Sequence, residues 1–185
     1  LSLNKTLNLT LFLESLYVSP GVMRKAQNAS GDQFTGNTAD QVSVELHDSD
    51  HYGTIVYSAS NVNLSTSGLA TVTIPGNIDG SYYLTVKNRN AIETVSAYPV
   101  SFAAGTINFG FSNTSMAYGA NLHQMPDGSW VIYCGDVNQD GLIDSGDMIP
   151  VDNFASAFMT GYIPEDVNGD GLIDSGDMII VDNNS

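Results

Sequence analysis

Two stretches of the chain place carboxylates at a spacing that suits one kind of chemistry. Residues 136–153 read DVNQDGLIDSGDMIPVDN and residues 166–183 read DVNGDGLIDSGDMIIVDN, an offset of 30 with 16 of 18 positions identical. The exceptions are Gln139 against Gly169 and Pro150 against Ile180. Each copy follows D-x-N-x-D-G-x-x-D-x-x-D. A hard cation such as Ca²⁺ takes about six to eight oxygens at roughly 2.3–2.6 Å, and a twelve-residue loop supplies them from positions 1, 3, 5, 7, 9 and 12. In the first copy these are Asp136, Asn138, Asp140, the Leu142 carbonyl, Asp144 (directly or through water) and Asp147. In the second they are Asp166, Asn168, Asp170, the Leu172 carbonyl, Asp174 and Asp177. Position 6 must turn sharply, and Gly141 and Gly171 occupy it. Ile143 and Ile173 at position 8 let two such loops pair over a shared core. The expectation is two Ca²⁺ ions, one per loop. Mg²⁺ fits less well because it takes fewer protein ligands and keeps its waters.

The charge distribution agrees. The chain holds 20 acidic and 5 basic side chains, a formal net charge of −15. All five bases (Lys5, Arg24, Lys25, Lys87 and Arg89) precede residue 90, whereas residues 135–185 hold 11 acids and no Lys or Arg. So dense a run of like charge is self-repelling unless cations sit within it. The same imbalance excludes nucleic acid, whose binders need a basic footprint, and disfavours anionic lipid. No run of about 18 apolar residues is present, so no membrane-spanning helix is expected. The first residue is Leu1 rather than Met, which reads as a processed or trimmed piece. The single cysteine, Cys134, forms no internal disulfide and reads as a buried thiol.

The paired loops resemble the type I dockerin repeat, with Asp at position 12 and duplication at this spacing. That resemblance covers residues 135–185 and implies F-hand units, each a loop followed by one helix, and a cohesin as partner. The loop positions that would help choose the cohesin are Ser145-Gly146 and Ser175-Gly176. The continuation Met148-Ile-Pro-Val-Asp-Asn153 departs from the cellulosomal pattern, and Pro150 argues against a long helix there. Taken whole, the chain is similar to C-terminal regions of secreted or cell-surface Bacteroidota proteins. In those, a β-rich module with segments like Leu9–Tyr17 and Met23–Ala26 leads into such a pair. This resemblance implies export and names no activity.

The elements that must position the loops are strands. Leu7, Leu9, Leu11 and Leu13 alternate with Asn8, Thr10, Phe12 and Glu14. The same period of two runs through Val42–His47, Ala70–Ile74, Tyr82–Lys87 and Ile107–Phe111, and it marks half-buried strands. Turn signals such as Ser67-Gly68, Pro75-Gly76-Asn77 and Asp79-Gly80 separate them. The expected fold is mainly β: an antiparallel β-sandwich of about seven to nine strands over residues 1–134, immunoglobulin-like or transthyretin-like, followed by a small α dockerin-like pair over 135–185. Ser19–Asp40 reads as a long loop. Trp130–Cys134 runs without a linker into Gly135-Asp136, so the pair should dock on the sandwich. The apolar stretch Phe154–Ile163 reads as a core helix face. The second loop, near the end of the chain, is expected to be lost more easily than the first.

Catalysis is not expected. No Gly-x-Ser-x-Gly, Gly-x-x-x-x-Gly-Lys or His-Glu-x-x-His occurs. His47-Asp48-Ser49-Asp50-His51 reads as a polar hairpin tip rather than an acid–base or metal cluster. The leading expectation is a non-catalytic, calcium-stabilised structural or adhesive module of a secreted or cell-surface protein, with a protein partner or self-assembly. Two alternatives stand beside it. One is a binding module, for a cohesin or for a polysaccharide stacked on Tyr52, Tyr83, Tyr98 or Trp130. The other is a filament subunit whose strand within Leu1–Val18 completes a neighbour's sheet.

Overall fold

The computed structural model describes residues 3–185. Its strands are β1 Lys5–Thr10, β2 Tyr17–Ser19, β3 Val22–Met23, β4 Gln27–Asn28, β5 Gly31–Asp32, β6 Thr38–Asp48, β7 Ile55–Ser65, β8 Leu69–Ile74, β9 Ser81–Lys87, β10 Thr94–Val95, β11 Val100–Ser101, β12 Thr106–Gly110, β13 His123–Gln124 and β14 Trp130–Val131. Two helices follow, α1 Ser145–Ser156 and α2 Ser175–Asn184. The fold is mainly β, as the alternating patterns require.

Eight strands form one curled sheet in the order β10-β9-β6-β7-β8-β1-β12, with β11 also pairing β9. The alternation sorts its residues as the sequence suggests: Leu7, Leu9, Val42, Val44, Leu46, Val72, Ile74, Leu84 and Val86 all point into one core. Each such side chain, fully buried, contributes about 1.5–3 kcal/mol. The sheet is not wholly antiparallel, because β1 pairs β12 in parallel, Thr6 opposite Thr106 through Thr10 opposite Gly110. Its other edge pairs β8 antiparallel. The strand that a filament subunit would donate to a neighbour is therefore occupied on both edges within its own sheet, with Leu7 and Leu9 buried beneath it. Leu1 and Ser2 of that segment lie outside the described residues. Lys5 is buried, and its ammonium donates to the carbonyl oxygens of Ile78 (2.7 Å) and Phe102.

Three local expectations need correction. Ser19–Asp40 is not a featureless loop: it carries the hairpins β2–β3 and β4–β5, and Met23 and Ala26 are buried. Hydrogen bonds from Arg24 N to Leu16 O (2.8 Å) and from Ala26 N to Ala39 O (2.8 Å) tie it down. Pro150 lies inside α1 without ending it, and the helix continues to Ser156. In Phe154–Ile163 only part faces inward; Phe154 and Ala155 pack on the core, whereas Phe158 is 89% exposed.

The core does not stop at residue 134. Val137, Val151, Val167, Ile173 and Val181 belong to the same buried cluster as the sheet residues. The repeats dock on the β-rich part, as the missing linker implies. Among the described residues no helix is long and apolar enough to cross a membrane.

Candidate metal loops

Each repeat folds into a loop that runs straight into a helix, and the carboxylates build both. Asp144 and Asp174 are the helix N-caps, accepting from Gly146 N (2.6 Å) and Gly176 N (2.7 Å). Asp147 and Asp177, at the third helical position, complete capping boxes by accepting from Asp144 N (3.0 Å) and Asp174 N (2.9 Å). The second carboxylate oxygen reaches back across the loop. That of Asp147 accepts from Val137 N (2.7 Å) and Asn138 N (3.0 Å), and that of Asp177 accepts from Asn168 N (2.8 Å). The residue at position 12 therefore clamps the loop's start to the helix's start.

The remaining ligand candidates fold the loop inward. Asp136 accepts from Asp140 N (3.1 Å) and Gly141 N (3.2 Å), and Asp166 accepts from Asp170 N (3.1 Å) and Gly171 N (3.2 Å). Asn138 and Asn168 each accept from the backbone two residues on, at 2.8 Å. Asp140 and Asp170 do the same towards Leu142 N and Leu172 N, at 3.0 and 2.9 Å. The two ladders agree bond for bond to within about 0.2 Å wherever both are present, as identical sequences should.

Asp136, Asp147, Asp166 and Asp177 are buried, at most 1% exposed. Among the described residues none of them forms a salt bridge with a Lys or Arg. Burial raises the Asp136 and Asp177 carboxyls and pushes Asp166 up to about 6, against the opposing pull of Arg89. Burial of this kind favours a bound cation or a proton, against the backbone N–H bonds and, at Asp166, the Arg89 charge that favour the ionised form. The donor set, all oxygen and mostly carboxylate, fits a hard divalent cation. Yet no three acidic, His or Cys side chains already stand as a ligand cluster among the described residues, because their oxygens are turned to backbone N–H groups. The residues fit the ion in the type of their donor atoms and their order along each loop; the close approach of their oxygens would have to come with the ion itself.

The loops differ in what surrounds them. The first turns outward: Asn138, Gln139, Asp140 and Gly141 are exposed, and a Cβ placed on Gly141 would meet nothing within 4 Å. Its anchors are Gly135 N to Asn90 O (2.7 Å) and the Gln139 amide to Ala91 O (3.2 Å). The second loop is pressed onto the β2–β5 hairpins. Gln27 N donates to Gly169 O (3.0 Å), Arg24 donates to Asn168 O, and a Cβ on Gly171 would lie 2.7 Å from Asn28 O. Arg89 donates to Ile163 O (2.7 Å) and Asp166 O (2.5 Å), stacks over Tyr162 at 4.5 Å and lies 3.6 Å from buried Asp40. The Asn90 amide adds bonds to Pro164 O and Asp166 O, both 3.0 Å. The chain's second loop is thus the more tightly held, the reverse of what its position near the end suggests.

Elsewhere the chemistry is sparse. Cys134 is fully buried and burial pushes its thiol up to about 11, so it is no nucleophile. In the His47–His51 segment, Asp48 caps the turn by accepting from Asp50 N and His51 N, and His47 stacks on Tyr52 at 4.3 Å. That segment is a hairpin tip, and the stacking was not legible from the sequence.

No protein-family model matches the chain, and no curated protein matches it. Solved structures do. One is an interface mutant of a type II cohesin–X-dockerin complex from Acetivibrio cellulolyticus, altered at its C-terminal interface; the match covers 97% of this chain and 94% of that one, at 16% identity and a TM-score of 0.56. An N-terminal interface mutant of the same complex matches over the same shares at 16% identity and a TM-score of 0.55. At this identity the likeness is one of fold. It runs through the β-rich part and the repeats together, with type II rather than type I complexes, and the described residues are largely β with only two helices. The type I dockerin-like reading of residues 135–185, and the Bacteroidota-type arrangement that accompanied it, are corrected accordingly.

Proposed function

We propose that the chain is a non-catalytic module, stabilised by two Ca²⁺ ions, that joins proteins into an assembly outside the cell. Ca²⁺ would be held by Asp136, Asn138, Asp140, the Leu142 carbonyl, Asp144 and Asp147 in one loop. In the other it would be held by Asp166, Asn168, Asp170, the Leu172 carbonyl, Asp174 and Asp177. The ion supplies the charge that lets these carboxylates stay ionised and buried; it takes part in no reaction. The single observation that carries the calcium reading is the duplicated set of buried carboxylates, none of them in a salt bridge with Lys or Arg among the described residues. The assembly reading draws support from the fold, since its solved neighbours were crystallised in a cohesin–X-dockerin complex. Extracellular calcium is abundant enough to fill sites of modest affinity, which fits a place outside the cell.

Native mass spectrometry in the presence of Ca²⁺ tests the metal. Two bound ions are expected, falling to one in Asp136→Ala and in Asp166→Ala. No bound ion would remove the basis of the reading. The assembly half is tested separately, by size-exclusion chromatography with light scattering of calcium-loaded protein mixed with candidate extracellular modules. Complexes that form with Ca²⁺ and dissolve in chelator support it; none with any candidate, or complexes indifferent to chelator, count against it.

A further inference from the structure

A cavity of about 430 Å³ opens on the outer side of the sheet, and its walls are Tyr52, Tyr83, Tyr118, Val95 and Glu93. Three features define its chemistry. First, the walls stand at an angle rather than forming a platform: the Tyr52 and Tyr83 rings meet at 74° with centroids 6.0 Å apart. Second, the principal wall is fixed before any ligand arrives. Tyr52 lies flat on His47 (10° between planes), its backbone carbonyl is 2.6 Å from the His47 ring, and its hydroxyl is bonded to Thr85 (3.0 Å) and Glu93 (2.9 Å). Burial pushes that phenol up to about 12, so it remains neutral. Third, one wall is a carboxylate, Glu93, in a cluster where acidic groups outnumber Lys and Arg. Among the described residues Lys87 is the one ammonium there, bridging Glu45 (3.0 Å) and Glu93 (3.2 Å), and the His47 ring also lies 3.0 Å from Glu45. The surface beside Lys87 and Glu93 continues to Asp136 and Asp140.

We propose that this cavity is a binding site for an organic ammonium ion, held by the faces of Tyr52, Tyr83 and Tyr118 and by the charge of Glu93. Aromatic faces attract cations through their quadrupoles, most strongly where several rings enclose the charge and water is displaced. A neutral sugar prefers one broad exposed face with polar groups around its rim; rings set nearly at right angles over a carboxylate serve a compact cation better. The same ammonium group could come from a free quaternary amine or from a lysine side chain of a partner protein. Tyr118, 68% exposed on a turn after the sheet, is the wall free to adapt to either.

The test uses the whole calcium-loaded chain. Choline is titrated by calorimetry beside 3,3-dimethylbutanol, which has its shape without its charge, and beside cellobiose. A glycine-flanked trimethyllysine peptide forms a fourth arm. Saturable choline or peptide binding, with at least about tenfold weaker binding of the neutral analogue, is the expected result. The tighter of the two cations identifies the source. Tyr118→Ala, which removes no hydrogen bond described here, should weaken cation binding at least about fivefold with an unchanged circular dichroism spectrum, and Glu93→Gln should weaken it further than Tyr52→Phe. Equal binding of choline and its neutral analogue, preference for cellobiose, or no binding in any arm would overturn the proposal.

Discussion

The two metal loops are the same sequence in two environments. Their hydrogen-bond ladders are nearly superposable, bond by bond, yet one loop faces solvent and the other is wedged between two hairpins and an arginine. What differs between the copies in sequence follows from this. Gln139 and Gly169 share a left-handed backbone, at φ 60° and 73°. Gln139 accepts that conformation because its side chain has room to reach Ala91. At position 169 an added Cβ would sit 2.7 Å from Leu16 Cδ2 and 3.3 Å from Arg89 Nη2. Local sequence sets the loop's shape, and tertiary packing sets which residues are allowed and how firmly the loop is held.

The largest test of that contrast removes the metal from both loops at once. Stabilisation by a bound ion is on the order of 4 kcal/mol per site when free Ca²⁺ is a thousandfold above Kd. Excess chelator should therefore lower Tm sharply. Because Val137, Val167 and Val181 share the sheet's core, calorimetry should show one transition moving as a unit. Two separate transitions would mean that the loops melt on their own and that the shared core does not couple them.

Arg89→Ala is next in size. It removes the bonds to Ile163 O and Asp166 O and leaves buried Asp40 without its ion pair. A loss of about 3–5 kcal/mol is expected in urea unfolding. Native mass spectrometry should show the second ion lost before the first; loss in the opposite order would show that Arg89 does not anchor that loop.

A reciprocal pair of substitutions sharpens the comparison. Gly169→Gln should cost about 1–3 kcal/mol through overpacking against Leu16, whereas Gln139→Gly should cost about 1 kcal/mol or less. Equal costs in thermal unfolding would show that the two surroundings are energetically alike.

The smallest effect lies at Glu45, whose partner Lys87 shares a pocket with Asp136 and Asp140 of the first loop. Glu45 is partly buried, which by itself raises its carboxyl, but bonds from Lys87 and His47 outweigh this and hold it below its ordinary value. A carboxyl lowered in the folded state stabilises above its unfolded pKa, and that stability fades as pH falls through the folded value. Between about pH 5 and 3 the wild-type chain should lose on the order of 1 kcal/mol that Glu45→Gln does not lose. This loss should be the same with and without Ca²⁺; a difference would tie this cluster to the loops.

Much of this was legible in the sequence. The period-two patterns at Leu7–Leu9, Val42–Leu46, Ala70–Ile74 and Leu84–Val86 found their strands and their buried faces, because alternation is a local property of a pleated chain. The loops' ladders follow from side chains bonding to backbone two to ten residues away. What escaped depended on distant partners. Nothing around Leu7 announces a parallel neighbour at Ile107. Nothing in Ser19–Asp40 announces that it forms the seat of a loop some 140 residues later, as Arg24 does for Asn168. The tyrosine cavity escaped for the same reason: Tyr52, Tyr83 and Tyr118 come from three separate segments, and Tyr118 carries no pattern of its own.

The placement of β1 between β8 and β12 has a consequence in time. Its antiparallel partner lies some 60 residues ahead in the chain and its parallel partner about 100. A ribosome adding about 5–20 residues each second therefore exposes Leu7 and Leu9 for several seconds before the strand that closes over them exists. Long-range parallel pairing also slows the search itself. Refolding should accordingly be slow for a chain of this size, and the emerging chain should be most vulnerable to aggregation in the interval before residues 106–110 appear.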